Sequence, residues 1–189
     1  MYHMILMSLR AAILGFLRLE PTSGYMLRKR FEGSAASFWS VTQSQIYREL
    51  HALEKDGLVE SVREPGDGKP DRLVYALTKA GEDALDTWLR SPVEPPALRH
   101  PLLLKLVFAA DLDPRALDET LAAYRASVAS RREDYEARLA MQAIFSLARS
   151  RREAMLWKLS IEHGLAWCDA ELAWIARARR ALRPGGGGG

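Results

Sequence analysis

Residues 44–81 read SQIYRELHALEKDGLVESVREPGDGKPDRLVYALTKAG, and the order of periodicities along them decides the fold. Ile46, Leu50 and Leu53 recur at spacings of four and three, the buried stripe of an amphipathic helix. Asp56-Gly57 stops that helix, because glycine accepts the left-handed conformation of a terminal cap. Leu58 to Arg63 and Leu73 to Leu77 then read as two short strands. Pro65 to Asp71, PGDGKPD, is too long for a two-residue hairpin turn and reads as a broad loop. A further helix opens at Thr78 and runs to Leu89, with Leu85, Trp88 and Leu89 expected to face the core. Helix, break, strand, wide loop, strand, helix is the order of a winged helix-turn-helix. One helix is built to enter a major groove, and a two-stranded wing flanks it.

Working outward toward the amino terminus, Ile5, Leu9, Ala12, Ile13, Phe16 and Leu17 define a first helix that ends near Leu19 before Glu20-Pro21. Thr22 or Ser23 caps a short helix through Phe31, and Gly24 permits close entry. Ser34 to Val41 is a connector whose Phe38 and Trp39 are expected to plug the core. Thr42 or Gln43 opens the helix read first. Gln43, Ser44, Gln45, Tyr47 and Arg48 cluster at its amino end and are largely off its apolar stripe. Glutamine can pair with adenine, arginine with guanine or a phosphate, and a tyrosine hydroxyl with a phosphate. Tyr47 can equally be half buried against the first helix.

Charge alone does not identify a nucleic-acid protein here. The chain carries 27 Lys/Arg and 24 Asp/Glu, and residues 1–90 hold 12 of each sign. Local clustering carries that case instead: Arg28 and Lys29 ahead of the reading helix, and Lys69 and Arg72 on the wing. Glu64, Asp67 and Asp71 oppose the wing contacts, since each brings negative charge toward the same duplex.

The combination of Ser23-Gly24-Tyr25, Ile46-Tyr47, Leu50, Leu53-Glu54, Asp56-Gly57-Leu58-Val59 and Tyr75-Ala76-Leu77-Thr78-Lys79-Ala80-Gly81 resembles the PadR family of transcriptional regulators over residues 5–90. The resemblance implies a dimeric, ligand-responsive regulator, usually a repressor, bound to an inverted repeat in a promoter. It places Gln43 to Arg48 on the DNA-reading surface, with Tyr47 at the family's tyrosine. The acidic, proline-bounded wing and the Phe38-Trp39 pair depart from many relatives.

Ser91-Pro92-Val93-Glu94-Pro95-Pro96 is a stiff polar connection. It divides a DNA-binding domain at 1–91 from a helical domain at 98–183, with a linker at 92–97 and a glycine tail at 184–189. Leu98, Leu102, Leu103, Leu106 and Val107 are expected to form a helix buried between layers. Asp113-Pro114 starts a long arm reaching about Met141, on which Leu117, Leu121, Tyr124, Val128, Tyr135 and Leu139 keep an approximate seven-residue rhythm. The last helix runs from Ser150 to Leu182, with Trp157, Ile161, Cys168, Leu172 and Ile175 on one side and Trp167 and Trp174 flanking them. This half is similar to the helical dimerisation domain of PadR proteins. Its tryptophans are expected either to fill a subunit interface or to wall a pocket for a planar effector. The resemblance implies aromatic or drug-like effectors.

Enzyme chemistry has no comparable support. There is no glycine-rich phosphate loop, no His-Glu-x-x-His and no close Cys/His ligand set, and His3, His51, His100 and His163 are scattered. His163 with Cys168 and Asp169 is a poor metal candidate, since their offsets do not share one helix face. No cofactor is expected. One cysteine excludes an intramolecular disulfide, no apolar run approaches ~20 residues, and the amino terminus lacks a secretory pattern. A cytoplasmic protein with no membrane partner is therefore expected. The reading from another class is a protein-interaction scaffold on a degenerate winged helix, favoured by the neutral amino-terminal half and acidic wing. It predicts no preference among DNA fragments.

Overall fold

The computed structural model describes residues 2–32, 41–65, 72–93, 95, 99–141, 145 and 148–182. The expected roles of Phe38, Trp39, Lys69, Leu98 and the glycine tail lie outside these residues. The chain falls into two units, Met1–Pro95 and Pro96–Gly189. It is mainly α-helical, with a winged helix-turn-helix first and long helices after it.

In the first unit, α1 (Tyr2–Leu19) buries Leu9, Ala11, Ile13, Leu14 and Leu17 and stops at Glu20-Pro21. Two residues, Thr22–Ser23, then form β1, and the Ser23 hydroxyl accepts the Met26 N–H to cap α2 (Gly24–Arg30). Phe31 at the end of α2 stacks edge-on against Phe16, with centroids 4.8 Å apart. The reading helix is α3 (Gln43–Lys55), which buries Ile46, Leu50 and Leu53 completely. It ends in a paired cap in which Leu58 N–H reaches the Leu53 carbonyl and Gly57 N–H the Glu54 carbonyl. Gly57 holds the positive φ, 71°, that such a cap requires.

Strands β2 (Val59–Glu64) and β3 (Arg72–Leu77) pair antiparallel from Val59↔Leu77 to Glu64↔Arg72. β1 adds to the other edge of β3 through Thr22↔Tyr75, giving the order β1-β3-β2. Thr78 starts α4 (Lys79–Arg90): its hydroxyl accepts the Gly81 N–H and donates to the Gly57 carbonyl, tying the strand exit to the end of α3.

Two expectations about apolar faces fail. Trp88 is 39% exposed and Leu89 58%, so only Leu85 of the three expected core residues of α4 is buried. Arg10 pairs with Asp56 beside the start of α4, and Arg18 with Asp86 near its end. The helix therefore runs alongside α1 in the same direction, and its last turn passes the end of α1 at Leu19. In the second unit, α5 (Pro101–Val107) buries Leu102 but leaves Leu104, Val107 and the following Phe108 exposed. A seven-residue helix packs one face, here Leu102 with Leu106 beside it, and leaves Leu104 and Val107 on the other.

The remaining helices, α6 (Pro114–Ala140) and α7 (Arg151–Ala181), pack along each other. Arg132 binds Asp169 and Arg179 binds Asp118, both at 2.6 Å, which fixes the pair as antiparallel. Leu121, Val128 and Tyr135 of α6 are buried at intervals of seven, and so are Ile161, Cys168 and Ile175 of α7. That shared spacing keeps one seam facing its partner along both helices. Gly164 lets Tyr135 lie flat on α7, since a Cβ there would sit 2.3 Å from the ring. No helix among the described residues is long and apolar enough to cross a membrane.

Candidate nucleic-acid interface

The outer surface of α3 follows from its inner one. With Ile46, Glu49, Leu50 and Leu53 buried, Gln43, Ser44, Arg48, His51 and Lys55 face solvent. Thr42 and Gln45 build a reciprocal capping box, the Thr42 hydroxyl accepting the Gln45 N–H and Gln45 Oε1 accepting the Thr42 N–H at 2.8 Å. The Gln45 carbonyl is thus engaged in the cap. The box leaves the amino end of α3 well formed, where backbone N–H groups and the helix dipole favour a phosphate.

The other expected contacts sort by partner. Arg28, on α2, donates from Nη1 to Gln43 Oε1 at 3.0 Å and from Nε to Glu32 at 2.9 Å. Lys29 holds its ammonium 5.0 Å above the Tyr25 ring and is exposed. Arg48 makes no ion pair among the described residues. Tyr47 is half buried, and its ring meets the start of α2: a Cβ on Gly24 would lie 2.7 Å from it. Arg72 is bound by Glu64 directly across the strand pair, at 2.7 and 2.9 Å to one carboxylate oxygen. The wing arginine is thereby neutralised in the free protein.

The carboxy-terminal candidates separate more sharply. Ile161 and Cys168 are buried in the α6–α7 seam; Leu172 and Trp174 pack against it, and Trp157 is half buried. Burial raises the Cys168 thiol above its ordinary range. Trp167 instead faces outward, 37% exposed, with the Arg131 guanidinium 5.6 Å from its ring centre. Of the six expected residues it alone lines a concavity of about 550 Å³, together with Arg99, His100, Lys105, Tyr124 and Arg131.

His100 anchors that concavity. It caps α5 by accepting the Leu103 N–H on Nδ1, and its Nε2 lies 3.0 Å from the Tyr124 hydroxyl. Tyr124 also donates to Glu171 at 3.4 Å, and burial followed by the Glu171 charge raises its phenol pKa. The wall is aromatic and its rim cationic. The lining residues beyond Trp167 escaped the sequence reading because they come from three separate elements. The one local signal was the seven-residue step from Tyr124 to Arg131 on α6.

Comparison with known proteins brings both halves together. The transcriptional regulator PadR-like family matches residues 13–87, and the virulence activator alpha C-terminal family matches residues 98–183. Over residues 13–87 the chain is thus similar to the PadR-like family of transcriptional regulators. It is 38% identical over 89 residues to a probable transcriptional regulator of Mycobacterium tuberculosis, covering 47% of each chain. It is 34% identical over 105 residues to the negative transcriptional regulator PadR of Bacillus subtilis, covering 55% of this chain and 58% of that one. The chain thus spans about half the length of the curated relatives it matches. As a fold it is similar to B. subtilis PadR in complex with operator DNA, with a TM-score of 0.79 and 24% identity over 93% of this chain and 99% of that one. The same protein in complex with p-coumaric acid gives a TM-score of 0.74 and 22% identity over 92% and 98%.

Proposed function

We propose that this PadR-like chain is a homodimeric DNA-binding transcriptional regulator, a repressor that sits on an inverted-repeat promoter operator and responds to a small aromatic ligand. The observation that carries the reading is α3: a helix whose inner stripe is fully buried and whose capped amino end offers Gln43, Ser44 and Arg48 to solvent. Tyr47 stands behind them, Arg28 and Lys29 lie on α2, and Lys69 and Arg72 belong to the wing. The operator complex of B. subtilis PadR supports this assignment. Lys69, Arg72 and Arg48 would meet phosphates, and Gln43 and Ser44 base edges. Arg72 must first exchange Glu64 for a phosphate, which makes it the weakest contact of the set.

The effector site is the concavity of the second unit, where Trp167 and Tyr124 offer ring faces and Arg99, Lys105 and Arg131 offer positive charge to an acidic group. The p-coumaric acid complex of the B. subtilis protein supports a ligand of that type. Trp157, Ile161, Cys168, Leu172 and Trp174 then hold the seam behind the site. Effector binding would act by favouring a dimer in which the reading helices no longer match the two grooves.

The test is capture of fragments of source DNA by the full chain, followed by titration of the captured duplex at several salt concentrations. A regulator gives one or a few tight sites, with affinity falling steeply as salt rises. Equal affinity for all fragments rejects the reading and favours an interaction scaffold. An aromatic acid that leaves both operator affinity and Trp167 fluorescence unchanged at saturation rejects the effector part alone.

A further inference from the structure

The concavity of the second unit has a floor and a rim of different chemistry. Leu102, His100, Thr120 and Tyr124 line it from partly or fully buried positions, whereas Arg99, Lys105 and Arg131 are exposed. The hydroxyl and imidazole hydrogens of the floor are spent inside the protein. His100 Nδ1 accepts the Leu103 N–H, so the neutral ring carries its proton on Nε2 and donates it to the Tyr124 oxygen, 3.0 Å away. Tyr124 gives its own hydrogen to Glu171, and the Thr120 hydroxyl donates to the Ala116 carbonyl at 2.9 Å. An anionic group on a ligand therefore finds its charged donors at the rim.

That rim carries three permanent charges of one sign. No carboxylate lines the concavity among the described residues, and none of the three cations makes an ion pair there. Arg132, one position along from Arg131, is by contrast matched by Asp169 at 2.6 Å. Like charges gathered around a concave site raise the potential inside it and draw in anions. A ligand with one negative charge leaves two of these cations unmatched. A ligand with two leaves only Arg131, whose guanidinium already lies 5.6 Å from the centre of the Trp167 ring. We propose that the concavity takes a planar aromatic dianion, its bare ring inward and both charges at the edge held by Arg99 and Lys105. A phosphate monoester and a pair of carboxylates both supply that charge at neutral pH. This inference rests on the reading of the concavity as the effector site and narrows the class of effector.

The experiment is calorimetric titration of the full chain at pH 7.5 with benzoate, benzene-1,3-dicarboxylate, phenyl phosphate and inorganic phosphate. At least one of the two aromatic dianions should bind about tenfold more tightly than benzoate, the gain from one further charge-assisted contact. Which of the two does so identifies the source of the charge. Arg99→Met and Lys105→Met keep an apolar stem, and each should bring the ratio of dianion to benzoate affinity toward one. Lys158→Met, which removes a cation paired with Glu162 on α7, should leave that ratio unchanged. A purely structural role for the rim residues would weaken every ligand alike. Benzoate binding as tightly as both dianions, or an unchanged ratio in both rim variants, overturns the dianion and leaves an aromatic-acid effector standing. Inorganic phosphate binding as tightly as phenyl phosphate, with the dicarboxylate no better than benzoate, also overturns it, since the ring would then add nothing. No heat with any of the four overturns the effector site as well, and leaves the DNA-reading surface untouched.

Discussion

At the scale of single residues, two glycines make opposite predictions from the same substitution. A Cβ at Gly81 would stand 2.0 Å from the Leu58 carbonyl oxygen, a backbone atom that cannot turn aside. Gly81→Ala is expected to cost about 3 kcal/mol, at the upper end for overpacking. Gly15 lies inside α1, and nothing comes within 4 Å of a Cβ there. Gly15→Ala is expected to stabilise by about 0.5–1 kcal/mol, because alanine loses less backbone freedom on joining a helix. Urea unfolding of both variants checks the pair, and equal effects would refute the packing argument.

Tyr47 carries a third residue-scale prediction. Its ring packs on Gly24 while its hydroxyl is free to serve a phosphate, so Tyr47→Phe should leave the melting temperature unchanged and weaken operator binding about tenfold. Unchanged affinity would reject the phosphate role.

At the scale of elements, how much could be read from the sequence depended on whether an element's determinants were local. Thr42, Ser23, Thr78, Asp113 and Ser150 each sit directly before a helix and accept from the backbone of its first turn. Such signals are contained in four residues and could be read in advance. β1 could not, because two residues become a strand only through pairing with Tyr75 and Val74 some fifty positions away. Trp167 and Trp174 flank the apolar stripe of α7 alike in sequence. What separated them was what α6 placed opposite: the buried seam beside Trp174, and Arg131 beside Trp167. Arg72 likewise read as a wing cation until register set Glu64 against it.

The α6–α7 pair also has a pH dependence whose sign is fixed by its buried groups. Cys168 and Tyr124 are both raised, in each case chiefly by burial, so the fold favours their neutral forms. Their contribution is fully present below the ordinary thiol and phenol values of 9.0 and 10.0, and is lost as pH rises through the higher folded values. Thermal melts should therefore be flat from neutral pH to about pH 9 and fall above it. Alkylation of Cys168 at pH 8 should be slow in the folded protein and fast in urea. Rapid modification of the native chain would mean that the seam opens.

At the scale of the whole molecule, the second unit leaves more apolar surface uncovered than its own packing explains. Met155, Leu156 and Leu159 on α7 are each at least 51% exposed, and Leu104, Val107 and Phe108 at α5 at least 62%. Exposed apolar side chains in clusters such as these usually mark an interface, and a regulator of the kind proposed, on an inverted repeat, needs a second copy. Two reading helices joined in one dimer can occupy successive major grooves about 34–36 Å apart, so the second contact forms at an effective concentration in the millimolar range. Removing the dimer removes that gain without touching α3. Leu156→Glu with Leu159→Glu should convert the chain to a monomer by sedimentation, keep its helical content, and lower operator affinity by about 10²–10⁴. Binding to a single half-site should change little, because its contacts all come from one first unit. A double variant that remains dimeric would place the interface elsewhere on the second unit. A monomeric variant that still binds the full operator as tightly as the wild type would show that spacing between two copies is not what selects the site.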